Sequence, residues 1–171
     1  LKQQYGFQSL AEFNTLLERY GLAAEEIRGR PYRGLVYHVL DDDGQRTGAA
    51  VKASRLGDFF GWKALEEKFD ATKQRLRQHP ETLDRTRREI DRARSGGRNR
   101  EQFTAELRAN GIDAVFREND AGRIYGVTFI DCTTHQVFNG SRLGKEYAAN
   151  AFEAWFNSRE QEPSTPMPEE L

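Results

Sequence analysis

Cysteine is almost absent from this 171-residue chain. Cys132 stands alone, so no internal disulfide can form, and a reducing compartment such as the cytoplasm suits it. Long hydrophobic runs are missing as well. No stretch approaches the roughly 18 apolar residues of a membrane span, and the opening LKQQYGFQSL lacks the layout of a secretory signal. Charge of one sign is also lacking: the net charge is −1, which by itself demands neither nucleic acid nor an anionic membrane as partner. A chain that opens on Leu1 rather than methionine is expected to be a fragment or a processed product.

Catalytic signatures are equally scarce. The three histidines, His38, His79 and His135, are scattered, with no second ligand at useful spacing, so no metal site is expected. His38 and His135 alternate with apolar residues and read as solvent-facing or hydrogen-bonded strand positions. No glycine-rich phosphate loop, nucleophile elbow or CxxC pair occurs, so neither a cofactor nor a catalytic residue is expected. The run Asp41–Asp43 reads as a turn, and Tyr37 and Tyr125 read as packing residues in or beside strands.

What the chain does have is a repeat. Ser-Arg-Leu-Gly occurs at 54–57 and again at 141–144, each copy after a β-like run and before a helix-like stretch. SRLGDFFGWKALEEKF matches SRLGKEYAANAFEAWF, EFNTLLERYGL (12–22) matches QFTAELRANGI (102–112), and GLVYHVL (34–40) matches GVTFIDC (126–132). Self-similarity of this span marks a duplicated structural unit.

Each unit reads as helix, three short antiparallel strands, helix. Ser9 and Glu12 fit a capping box, with the glutamate reaching back to the serine amide. Leu10, Phe13, Leu16, Leu17 and Tyr20 follow at helical spacing, and Gly21 ends the helix. A short strand at 25–28, a turn at Gly29–Pro31, a strand at Tyr32–Leu40, a hairpin turn at Asp41–Gly44 and a strand at Gly48–Ala53 precede a helix from Arg55 to about Phe69. In the second unit Asn99 and Gln102 form the cap and Gly111 the stop. Strands are expected at 113–117, 123–132 and 135–139, before a helix carrying Tyr147, Ala151, Phe152, Trp155 and Phe156. The expectation is an α+β fold with units at 1–69 and 99–157, a basic helical linker at 70–98 and a disordered acidic tail at 158–171. A three-stranded sheet is marginal alone, so the units are expected to pack together, with pseudo-twofold association as the simplest arrangement.

The linker differs in kind. From Lys73 to Glu101 ten Lys/Arg face five Asp/Glu, a net +5 that leaves −6 for the rest. Pro80 interrupts it, Glu81–Arg94 reads as an exposed helix, and Ser95–Gly97 as a hinge. It is either a solvated helix laced by ion pairs or an arginine arm touching phosphate through Arg85, Arg88 and Arg92. The repeated motif also admits two readings. Ser54 and Ser141 can cap a helix, Leu56 and Leu143 can anchor its first turn, and Gly57 and Gly144 can fit a crowded site. Arg55 and Arg142 are not needed for that. Together with Lys52, Asn139 and Lys145 they could hold an anion at a helix start.

At these residues the chain resembles a known family. FQSLAEFNTLLERYGL, PYRGLVYHVLDDDGQ and GRIYGVTFIDCTTHQVFNGSRLGKEYAANAFEAWF look like the region following the catalytic domain in MobA/MobB-type relaxase/mobilisation proteins of conjugative elements. The resemblance covers nearly all of the chain except the linker and tail, although relatives often carry histidine at Cys132 and serine near Ala148. It implies a parent that nicks DNA at an origin of transfer with a tyrosine and a histidine-held metal, which this chain cannot supply. The expected role is therefore non-catalytic: contact with origin or transferred-strand DNA, with Trp62 or Tyr147 stacking on bases, or else docking of mobilisation or coupling proteins or dimerisation.

Overall fold

The computed structural model describes residues 4–28, 33–96 and 99–160. The expected Gly29–Pro31 turn, the Gly97 end of the hinge and residues 161–171 of the tail lie outside the described residues. No described helix is long and apolar enough to cross a membrane.

The fold is α+β. Helix α1 (Leu10–Glu18) leads into β1 (Leu22–Arg28), β2 (Arg33–Leu40) and β3 (Arg46–Lys52), then a short α2 (Ala53–Leu56), a 3-10 turn (Asp58–Phe60) and α3 (Trp62–Gln78). After α4 (Glu81–Ser95) the order repeats: α5 (Arg100–Ala109), β4 (Ile112–Glu118), β5 (Ile124–Asp131), β6 (Gln136–Asn139), α6 (Gly140–Leu143), a 3-10 turn (Lys145–Tyr147) and α7 (Ala149–Glu160). The strands form two antiparallel sheets in the orders β1-β2-β3 and β4-β5-β6. The duplication extends to register, since Val36 pairs with Lys52 as Thr128 pairs with Asn139.

Local chemistry sets the boundaries. Ser9 caps α1 by accepting from the Glu12 amide, and Asn99 with Gln102 completes a reciprocal capping box on α5. Asp41 closes the β2–β3 hairpin by accepting from the Asp43 and Gln45 amides. β1 begins three residues before the expected strand and β3 two residues before its own. His135 is a turn residue with φ 56, not a strand residue, while His38 is bonded to Glu25 on β1. α7 reaches Glu160, so the first residues of the expected tail are helical.

The helix expected from Arg55 to Phe69 is broken, and so is its copy. Lys52 and Asn139 occupy the N-cap positions of α2 and α6 without a side-chain bond, which places Ser54 and Ser141 inside the helices. The serines therefore do not cap. Gly57 (φ 109) and Gly144 (φ 139) then take a backbone conformation that side chains disfavour, turning the chain into the 3-10 segment. Leu143 is buried as expected of an anchor, whereas Leu56 is 44% exposed.

Two apolar clusters hold the molecule. In one, Phe103 and Leu107 of α5 and Phe152 and Phe156 of α7 cover the front of the second sheet at Ile112, Phe129 and Phe138. In the other, Phe13, Leu16 and Leu17 of α1 pack with Ala24 and Leu35 of the first sheet and Leu65 of α3, and also with Ile130 and Val137. Those last two lie on the back of the second sheet. α1 is thus shared, lying between the front of its own sheet and the back of the other. Each large side chain buried there contributes about 1.5–3 kcal/mol.

This arrangement overturns pseudo-twofold association. α1 sits on the second sheet, while the corresponding side of α5 (Glu101, Gln102, Ala105, Arg108) faces solvent. The contact is heterologous, helix of the first unit on sheet of the second. The basic segment departs from expectation too: α4 is a helix, but Thr86, Ile90 and Ala93 are buried and Ile90 and Ala93 join the second core.

Candidate functional site

The two Ser-Arg-Leu-Gly motifs sit at the rim of two equivalent grooves. The groove of the first unit holds about 1080 Å³ and is lined by Ile27, Gly34, Val36, Lys52, Ser54 and Trp62 among others. Its counterpart holds about 460 Å³ and is lined by Arg117, Gly126, Thr128, Asn139, Ser141 and Ala149. These are matching repeat positions. The second groove also takes in Tyr125 of β5 and, from the first unit, Ala11 of α1. The first unit's helix partly fills the second unit's groove, and no described element does the same for the first.

Glu12 makes that docking specific. Its carboxylate is fully buried. Arg142 Nε donates to Oε2 at 2.6 Å and Nη2 to Oε1 at 3.0 Å. The amides of Asn139 and Gln8 donate at 2.8 and 2.7 Å. Arg142 Nη2 also donates to the Val137 carbonyl at 3.1 Å. A buried carboxylate is tolerated because four donors replace its water, two of them in a bidentate fork. Glu12 does not reach back to the Ser9 amide as a simple capping box requires; it accepts from Gln8 and crosses to the other unit. Arg117 to Thr15 (2.6 Å) and Arg19 to Asp113 (2.6 Å) extend the seam.

Arg142 is therefore not placed for phosphate, and other expected contacts are engaged as well. Arg85 donates to the buried Asp131 carboxylate at 2.5 Å, and Thr86 Oγ1 donates to the same oxygen at 2.8 Å. The Asn139 side chain accepts from Thr128 at 2.8 Å. Arg92 pairs with Glu89 at 3.5 Å. Further linker arginines grip the second motif: Arg87 donates to the Leu143 carbonyl at 2.7 Å, and Arg94 donates to the Glu146 carbonyl and lies 5.0 Å from the Tyr147 ring centre. Tyr147 is buried and donates to Asp91 at 2.9 Å, so it offers no face for stacking. Burial, reinforced by the Asp91 carboxylate, pushes its hydroxyl pKa up.

Lys52, Arg55, Arg88, Arg92 and Lys145 remain exposed. Lys52 and Lys63 line the first groove and Arg55 follows the lining residue Ser54 on α2, whereas Arg88 is on α4 and Lys145 in the second 3-10 turn. The residues that the sequence reading missed are Glu12, as a motif ligand, and the groove residues Ile27 and Phe59, each 45% exposed. One signal could have found Glu12. It aligns with Gln102 in the repeat, a carboxylate set against an amide.

Among the described residues no group of three or more His, Cys, Asp or Glu could hold a metal ion. Comparison with family models, with curated proteins and with solved structures found no match.

Proposed function

We propose that this chain is a non-catalytic, cytoplasmic accessory region of a relaxase/mobilisation protein, and that it works as a docking module for protein partners. The family part rests on the motif resemblance around GVTFID and FNGSRLGKE. The docking part rests on one observation: Glu12 of α1 seats in the second motif, while no described element seats in the equivalent groove at the first. A motif whose arginine receives a helix-borne carboxylate in one unit is a receptor for the same chemistry in the other.

DNA contact is the second reading, favoured by the exposed Lys52 and Lys63 lining one groove, with the exposed Arg55 on the adjoining α2. A labelled origin-like strand titrated at several salt concentrations separates the two. Docking predicts no low-salt binding that Lys52→Ala/Arg55→Ala removes. Binding that this pair weakens, with a salt slope shallower by about two, gives the groove to DNA instead. In the parent protein, Arg55→Glu is expected to lower transfer while leaving origin nicking intact; lost nicking counts against docking.

A further inference from the structure

We infer that the open face of the first unit receives helix α5 of a second copy of this chain, repeating between molecules the contact that α1 makes within one. The inference rests on the docking reading and names its partner. A heterologous contact has two different halves, and this chain leaves one of each unused. The receiving half is the back of the first sheet with Lys52 and Arg55. The inserting half is the outer side of α5, where Glu101, Gln102, Ala105, Arg108 and Ala109 are all exposed. These positions match Ala11, Glu12, Thr15, Glu18 and Arg19, the side that α1 presents to the second sheet.

The substitutions between the internal contact and the open one are matched on both halves. Internally, Arg19 pairs with Asp113; at the open halves Ala109 meets Ala23. Thr15 bonds Arg117 internally; the open halves place Ala105 against Ile27, which is 45% exposed. Ala11 and Asn150 both line the second groove; at the open halves Glu101 would meet Lys63, a charge pair. Glu12 is replaced by Gln102 opposite Arg55; its amide oxygen accepts from the Asn99 amide and keeps a second lone pair for the guanidinium. The N-cap backbones are superimposable, with φ −63 and ψ 135 at Lys52 against φ −61 and ψ 138 at Asn139. At three of these four places both partners differ from the internal pair; at the fourth the arginine is kept and only the carboxylate becomes an amide. Two different halves on one chain give head-to-tail assembly, as chains or as rings where the rotation closes, rather than two-fold dimers.

Sedimentation velocity of the full chain over a wide concentration range tests this. Wild type is expected to grow with concentration beyond a dimer, and Gln102→Glu to strengthen association about tenfold by restoring the carboxylate. Arg55→Glu removes the receiving half and Gln102→Arg the inserting half, so each variant alone should be monomeric. Mixed, they should form a one-to-one dimer and nothing larger, since each still carries one intact half. Both substituted residues are exposed, so cooperative thermal transitions near that of wild type are expected to show intact folding, with a small loss in Gln102→Arg from its bond to the Asn99 amide. A wild type that stays monomeric, or an oligomer indifferent to both variants, overturns the inference; the DNA titration above judges the docking reading separately.

Discussion

Glu12 and Arg142 lie 130 residues apart in sequence and join the two units by a bidentate contact, with the carboxylate fully buried and the guanidinium side chain 25% exposed. Removing one partner strands the other. Glu12→Ala is expected to cost about 3 kcal/mol in urea unfolding, because Arg142 and two amides lose their acceptor away from water. Replacing both by apolar residues should cost less than the two single changes together. Arg55→Ala, at the exposed repeat counterpart of Arg142, should stay within about 0.5 kcal/mol. Equal losses at Glu12 and Arg55 would contradict the asymmetry of the two motifs.

Asp131 ties α4 to the β5–β6 hairpin. One of its oxygens accepts from Arg85 and Thr86, the other from the turn amides of Thr133 and Thr134 at 3.0 and 3.2 Å. Asp131→Ala is expected to destabilise by about 3 kcal/mol. The Thr133 and Thr134 amides should also exchange faster with deuterium. Unchanged exchange at those two amides would mean that the carboxylate does not order the turn.

Features held by local chemistry were legible in the sequence. Caps at Ser9 and Asn99, the Asp41 turn and the stops at Gly21 and Gly111 each depend on residues a few positions apart. The repeat was legible for the same reason, as a short string recurring. The misreadings share a different cause. Ser54 and Ser141 look like caps because the motif precedes an apolar stripe, yet the glycines behind them restart the helix. The arginines of α4 look solvated because their acceptors are distant: Arg87 bonds a carbonyl 56 residues away and Arg85 a carboxylate 46 away. Nothing in a spacing pattern reports such partners. Ile90 and Ala93 were a thin apolar face that only tertiary packing gave a purpose.

Gly140 and Ala53 occupy the same place in the two repeats, but not with the same room. A Cβ on Gly140 would stand 1.9 Å from the Tyr147 carbonyl oxygen and 2.6 Å from Val127 Cγ1. Backbone must move to admit it, so Gly140→Ala should lower the thermal midpoint, with a cost of about 1–3 kcal/mol or more. Ala53→Gly should cost only about 0.5–1 kcal/mol, from chain entropy. A silent Gly140→Ala would show that the second motif is looser than its packing implies.

Tyr37 lies on β2 at the floor of the first unit, where its hydroxyl donates to the Phe60 carbonyl at 2.8 Å. Burial pushes its pKa from 10.0 up to about 12. The folded chain therefore keeps the proton at a pH where the unfolded chain has released it. Stability from this group is complete below the ordinary tyrosine pKa and falls as pH rises through the interval up to about 12. Tyr37→Phe removes both the titration and the bond to Phe60. The variant is expected to be less stable at neutral pH and to show a shallower alkaline decline, measured by urea midpoints across the alkaline range. It should also loosen the 3-10 turn that carries Phe59 and Phe60 beside the open groove, and amide exchange at Phe60 and Gly61 reads that directly. An alkaline slope identical to that of wild type would assign the decline to other tyrosines, with Tyr5, also pushed up to about 12 chiefly by burial, first among them.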